Sequence, residues 1–364
     1  MKIKEVTNYL EELAPLNYAE DFDNVGLLVG NYNTEVSGVL VTLDTLEETV
    51  DEAIAKNCNL IISFHPIIFG GLKKLNGNSY VEKVVLKAIK NDIAIYATHT
   101  ALDNSNNGVS AKMCEVLGLE NQKILIPKKG IIKKLTTFVP VKDAKELQKH
   151  LFDAGAGNIG NYSECSFSVN GIGTFMGNEN SNPVLGEKGK RHSENETQIS
   201  ILFESKNEYA LLNTLKNKHP YEEVAYEIIT LENTHQNIGM GMIGELPSAM
   251  DEKEFLVYLK DKMKTACVRH SELIHKKIKT VAVLGGSGSF AISNAKRAGA
   301  DAYVSADFKY HEFFKAEKSI LLADIGHYES EQFTKNLLVD YLTKKFSNFA
   351  IVLSEKSTNP IYYI

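Results

Sequence analysis

The sequence predicts an α/β fold: one split domain on a mainly parallel sheet, interrupted by a smaller inserted α+β module. Three observations carry this reading. Apolar, β-branched runs such as Leu60-Ile61-Ile62 alternate with stretches of helical periodicity, and such alternation implies right-handed strand–helix–strand units. The alternation lapses near Lys128 and resumes at Gly239-Met240-Gly241-Met242-Ile243-Gly244. Several strand-like runs also stop at a histidine or an acid, and ligands bind open α/β sheets at the carboxyl ends of their strands. The boundaries that follow are residues 1–128 and 236–364 for the two parts of the main domain and 129–235 for the insert.

In chain order, residues 4–14 carry apolar side chains at Val6, Tyr9, Leu10 and Leu13, one helical face, and Pro15 ends that helix. An acidic loop with Asp21 and Asp23 runs into a short strand before Gly30. Residues 38–44 form a strand and 46–57 a helix. Leu60-Ile61-Ile62-Ser63 reads as a buried strand, and Pro66 forbids a helix from starting at His65. A helix at 80–90, a strand at 93–99 and a helix at 108–118, closed by Gly118, complete the first part. In the insert, strands are expected at 136–141, 166–170 and 198–204, and helices at 142–154 and 207–217. The polar segment 178–198 reads as an exposed loop, and His219-Pro220-Tyr221-Glu222-Glu223 leads into a further strand. The second part has a helix at 251–263, strands at 280–284, 302–305 and 320–324, a long helix at 330–345 and a last strand at 348–353.

Composition narrows the function. The 364 residues are 43% apolar and 24% charged, as in a globular chain with ample core. A net charge of −6 argues against a dedicated nucleic-acid binder. Cys58, Cys114, Cys165 and Cys267 form no Cys-x-x-Cys pair, so neither a thiolate zinc site nor a disulfide framework is expected, and a reducing compartment fits. No apolar run reaches the roughly 18 residues of a membrane span or follows the first lysines as a leader would. A cytoplasmic protein is expected.

Four strand ends carry groups able to bind a cation: His65, His99 with Asp103, Asp307 with His311, and His327 with Glu331. Imidazole nitrogen with carboxylate oxygen is a normal set for zinc, manganese or iron. In Gly326-His327-Tyr328-Glu329-Ser330-Glu331 a spacing of four puts His327 and Glu331 on one helical face, and Glu331 has two oxygens with which to bridge two ions. The competing reading is an N-terminal cap with solvated acids. Asp307 and His311 either supply a general acid or base and a binding group, or cap a helix and sit hydrogen-bonded. His99 is a ligand or a group behind one. Gly285-Gly286-Ser287-Gly288-Ser289 follows a strand, as phosphate-cradling loops do, but a tight turn for close packing is the stronger reading. Asp21 and Asp23 read as loop residues.

With these motifs the chain resembles the Nif-three-like dinuclear metal centre proteins, named as GTP cyclohydrolase I type 2 homologues. The resemblance rests on the stretch from Phe22 to Gly30, Ser63-Phe64-His65-Pro66, Thr98-His99-Thr100-Ala101-Leu102-Asp103, Ser181-Asn182-Pro183-Val184-Leu185-Gly186, His219-Pro220-Tyr221-Glu222-Glu223, Gly285-Gly286-Ser287-Gly288 and His327 to Glu331, in family order. It implies a split Nif-three-like domain around one or two divalent ions, zinc first and iron or manganese next. The implied ligands are His65, Asp103, His327 and Glu331. It also implies a CutA/PII-like insert and a toroidal homohexamer, a trimer of dimers. The family usually has two histidines before the proline, and here the first is Phe64, which cannot bind metal. One ion is therefore expected to lose a ligand, bind weakly or recruit His99.

Two functions follow from the resemblance. One is a metal-dependent hydrolase taking GTP to dihydroneopterin triphosphate and formate, or acting on a related nucleotide or phosphoester, with Glu331 or His311 moving protons. The other is a non-enzymatic, metal-binding regulatory or scaffold ring.

Overall fold

Val39–Thr42, Leu60–Ser63 and Ala94–Ala97 are buried at every position, as strands covered on both faces must be. They pair in parallel, in that order. They belong to a computed structural model that describes all 364 residues and divides into two units, residues 1–127 with 236–364, and residues 128–235.

The larger unit holds two sheets, which corrects the expectation of one. The first has five strands in the order Gly26–Val29, Ala94–Ala97, Leu60–Ser63, Val39–Thr42, Ile351–Leu353. All pair in parallel except Gly26–Val29. The second has six: Arg269–His270, Leu321–Asp324, Ala302–Ala306, Lys277–Ser287, His235–Asp251 and Glu120–Lys128. Here the pairs around Ala302–Ala306 are parallel, whereas Arg269–His270 with Leu321–Asp324 and His235–Asp251 with Lys277–Ser287 are antiparallel. An apolar run shows that a strand is buried without showing which sheet it joins. Ile351–Leu353, far along the chain, thus returns to the first sheet beside Val39–Thr42.

The helix Ile3–Leu13 buries Ile3, Val6, Leu10 and Leu13 in the cluster that holds Ile62, Tyr96, Leu338 and Leu342. Each such side chain contributes about 1.5–3 kcal/mol by leaving water. The expected long helix at 330–345 is two helices, His327–Glu331 and Thr334–Lys345, broken at Gln332 and Phe333.

The smaller unit runs strand Ile132–Pro140, helix Ala144–Asp153, strands Ser166–Phe175 and His192–Glu204, helix Glu208–Lys218 and strand Tyr226–Thr230. Its antiparallel sheet has the order Ser166–Phe175, His192–Glu204, Ile132–Pro140, Tyr226–Thr230, the split βαβ arrangement. Leu147, Leu151, Leu211 and Leu215 pack with Leu135, Val139, Ile199 and Ile201 in one core. The segment expected to be loop at 178–198 is shorter, because His192–Glu204 continues the hairpin from Phe175↔His192 to Ser166↔Ile201.

Candidate metal centre

Two five-residue helices carry most of the site. His99–Asp103 follows the strand Ala94–Ala97 of the first sheet, and His327–Glu331 follows Leu321–Asp324 of the second. Each opens on a histidine and closes on a carboxylate four residues later, so the pair shares a helical face. His65 stands just beyond Leu60–Ser63. The groups therefore come from the ends of two sheets and not from one edge of a single sheet.

Of the residues singled out in the sequence, the structure brings three into one cluster. Ligand atoms of His65, His327 and Glu331 lie within 4.8 Å of one another. Glu331 Oε2 is 3.1 Å from His65 Nε2 and 3.3 Å from His327 Nε2. Neither contact has hydrogen-bond geometry, and this oxygen is buried without a hydrogen-bond partner. Asp103 and His99 line the adjoining cleft of about 200 Å³, with Phe22 and Phe290 among its other walls. The His99 ring stands 5.4 Å from that of His65. His311 is not brought in: it is exposed, with its ring against Tyr310 and Phe314, because Tyr310–Ala316 is a surface 3-10 helix. The proton-shuttle role expected of it has no geometric basis here. Phe64 is fully buried, its ring 5.6 Å from that of His99.

Each of the three histidines is held from behind by an aspartate. Nδ1 of His65 meets Asp44 at 2.8 Å, that of His99 meets Asp23 at 2.7 Å, and that of His327 meets Asp307 at 2.7 Å. An Nδ1–H given to a carboxylate fixes the ring and leaves Nε2 to bind. The braces are themselves tied. Thr358 Oγ1 donates to Asp44 at 2.5 Å, and Thr100 gives Asp23 both its backbone N–H, at 3.0 Å, and its hydroxyl. Asp307 sits in the left-handed region at φ +59°, which aspartate tolerates. Buried Asp324 then accepts from the N–H groups of Phe308 at 2.9 Å and Gly326 at 3.0 Å, and pairs with Arg269. One carboxylate thus anchors the loops bearing Asp307 and His327.

Gly286 lets the strand Lys277–Ser287 pass the cluster. Its φ is +68°, and a Cβ there would fall 2.4 Å from Glu331 Oε1. Its N–H donates to Ser330 Oγ at 2.8 Å and its carbonyl accepts from Ser305 Oγ at 3.0 Å. Both backbone groups of Gly286 are thus committed to packing, while Gly285, Gly286 and Ser287 face the cleft.

The electrostatics follow from these contacts. Burial opposes charge on His65 and His327, but Asp44, Asp307 and Glu331 outweigh it and raise the two imidazoles to about 10 and about 11. Burial likewise opposes charge on Glu331, yet the two histidines draw its pKa down to about 2. Asp103 is pushed above the carboxylate range by burial and by the charge on Glu331. With their Nδ1–H groups given away, neutral His65 and His327 would aim bare Nε2 lone pairs at a carboxylate oxygen. That arrangement needs protons or a cation between them. Two nitrogens and a buried oxygen form a donor set that suits zinc, iron or manganese.

Sequence reasoning treated Asp23 as a loop residue and gave Asp44 no role. Only the strand pairing accounts for Asp44. Val39–Thr42 and Leu60–Ser63 are parallel neighbours with Thr42 opposite Ser63, so residues just past both ends fall side by side. Asp23 likewise meets its partner across 76 residues of chain.

Residues 1–360 match the family described as Duf34/NIF3 (NGG1p interacting factor 3). A Bacillus subtilis (strain 168) protein called GTP cyclohydrolase 1 type 2 homolog is 38% identical over 368 residues, covering 99% of this chain and 98% of its own. The crystal structure of a Bacillus cereus protein related to NIF3 matches with a TM-score of 0.84 at 37% identity, over 100% of this chain and 99% of the other. A Staphylococcus aureus crystal structure matches with a TM-score of 0.79 at 31% identity over the same shares. On a family match and relatives that span the chain from end to end, this protein belongs to the Duf34/NIF3 family.

Proposed function

We propose that the protein is a metal-dependent hydrolase whose ion is held by His65, His327 and Glu331, with Asp103 as a fourth ligand. The carrying observation is the buried Glu331 Oε2, within 3.3 Å of two imidazole nitrogens and hydrogen-bonded to neither. A divalent ion bound there, zinc first and iron or manganese next, supplies Lewis acidity and a water acidic enough to act near neutral pH. Asp44 and Asp307 hold the two imidazoles in register for it. One cluster of three ligand atoms supports one tightly held ion per chain, and a second ion would have to draw on His99 and Asp103. Phe22 and Phe290, both exposed and lining the cleft, offer flat faces to a planar ring. They favour a nucleotide over a small phosphoester. The name borne by relatives such as the Bacillus subtilis protein points the same way, to a GTP cyclohydrolase type of reaction. In this reading the insert is a CutA/PII-like module and the protein assembles as a homohexameric ring.

The test is metal analysis of purified protein, followed by reloading and turnover of GTP and a panel of phosphoesters. His327→Ala is expected to lose both ion and turnover while keeping its assembly state. Metal content unchanged in His327→Ala refutes the ligand set. Fully loaded protein that turns over nothing refutes the hydrolase and favours the metal-binding regulatory ring.

A further inference from the structure

The smaller unit contains a cavity of about 590 Å³ that the metal chemistry does not use. Its floor is the sheet face opposite the helices. Leu135, Val139, Ile199 and Ile201 point into the helix-packed core, so Phe138, Val169, Glu196 and Gln198, of opposite strand parity, turn to the other side and line the cavity. Room is made by two glycines. A side chain added at Gly171 meets no atom within 4 Å, whereas one at Gly173 would overlap the Glu196 carboxylate. The roof is tied down where the backbone N–H of Asn182 donates to Glu222 Oε2 at 2.8 Å.

Polar groups converge on one wall. Glu196 is 8% exposed and accepts a hydrogen bond from the Tyr221 hydroxyl at 2.7 Å. Tyr221 is fixed in turn by His219, whose Nδ1 accepts from the Tyr221 N–H at 3.1 Å while its Nε2 donates to the Phe138 carbonyl at 3.0 Å. A histidine bonded in this way is neutral, because one ring nitrogen must accept. Glu222 and Glu223 also line the cavity, and no lysine, arginine or histidine does. The rings of Phe175 and Tyr221 stand 5.9 Å apart, and Phe138 adds a third aromatic wall.

We infer that this cavity binds a small organic cation, an ammonium or guanidinium group on an apolar body, with Glu196 as counter-charge and Phe138, Phe175 and Tyr221 as its aromatic box. Carboxylate and aromatic faces both attract a cation, and the apolar walls take up the body as ligand pockets do. The same lining repels phosphates and carboxylates. The occupant therefore differs in charge from a nucleotide acting at the metal centre, and the inference stands whether or not that reading holds.

The experiment titrates full-length protein with phenethylamine, 2-phenylethanol and 3-phenylpropionate, followed by ligand-observed NMR. Phenethylamine is expected to bind at least about tenfold more tightly than the alcohol, equivalent to about 1.4 kcal/mol, and the acid not at all. Glu196→Gln keeps an acceptor for Tyr221 but removes the charge, and is expected to erase the preference for the amine. Gly171→Val suits a strand, fills the space and is expected to abolish binding with unchanged circular dichroism. Equal binding of amine and alcohol, amine binding that survives both variants, or no amine binding by the wild type each overturns the inference.

Discussion

Adding zinc to the metal-free protein at about pH 8 is expected to release at least about two protons per ion bound, one each from His65 and His327, with a further one from Asp103 to the extent that burial keeps that ligand protonated. The number comes from the packing around Glu331. Its carboxylate and the aspartates behind the rings hold His65 at about 10 and His327 at about 11, so both are imidazolium at that pH. A ligand nitrogen must be neutral, and each ring gives up its proton to the solvent. Ordinary imidazoles, with pKa about 6.5, would already be neutral and release almost none. Ionisation of one water at the site adds at most about one proton. Calorimetry in two buffers of different ionisation enthalpy counts the protons, and one or fewer per ion refutes the argument. Through the two imidazoles alone, apparent affinity should accordingly rise with pH by about two decades per unit below pH 10. For metal-free protein the sign reverses. The stability lent by raised imidazole pKa values is full below about pH 6.5 and is lost as pH climbs through about 10 and about 11. Chelated protein should therefore unfold more readily in alkali.

Other consequences are smaller and separable. Asp44→Ala removes the partner of His65 Nδ1 and is expected to weaken metal binding about 10–100-fold, with Thr358→Val giving a lesser loss, both read by competition with a chromophoric chelator. Gly286→Ala sets a methyl against Glu331 in a left-handed backbone; it should cost about 1–2 kcal/mol in urea unfolding and lower metal occupancy, and unchanged occupancy would show that Glu331 is not the ligand. Burial opposes charge on Asp23, but His99, Thr100 and the Asn24 N–H lower it from 3.8 to about 2, worth about 2 kcal/mol at 1.36 kcal/mol per unit. A depressed carboxylate lends stability above its unfolded pKa and loses it as pH falls through the folded value. Asp23→Asn should thus destabilise at neutral pH and flatten the acid limb between about pH 4 and 2; an acid limb as steep as the wild type's would sink this.

The fold was legible where periodicity is local. The helix at Tyr80–Lys90, the buried run Leu60–Ser63 and the turn at Gly118 all follow from spacing and turn chemistry within a dozen residues. Sheet membership was not, because pairing is a tertiary choice. His235–Asp251, 17 residues long, reads as a glycine-rich return segment until its partner Lys277–Ser287 is known. The same division runs through the site. His327 and Glu331 announce themselves by spacing, whereas the aspartates that aim the rings lie 21, 76 and 20 residues from their histidines. His311, with the same local spacing from Asp307, faces solvent. Spacing of four is necessary for a shared helical face and says nothing about which way that face points.

That the cluster draws on both sheets gives metal binding a structural consequence. His65 follows a strand of the first sheet, and His327 with Glu331 follows a strand of the second, so an ion among them cross-links the two sheets. The chain also closes on itself near the site, with Ile351–Leu353 paired to Val39–Thr42 and Thr358 bonded to Asp44. No segment on either side of residues 128–235 can assemble the three ligands alone. An unfolded chain therefore offers no comparable site, and binding free energy becomes folding free energy. At a free metal concentration about 100 times the dissociation constant the gain is about 2.7 kcal/mol. The larger unit should melt at a higher temperature when loaded, by an amount that grows with metal concentration and vanishes in His327→Ala. A loaded wild type that melts where the chelated one does would mean that the ion sits elsewhere.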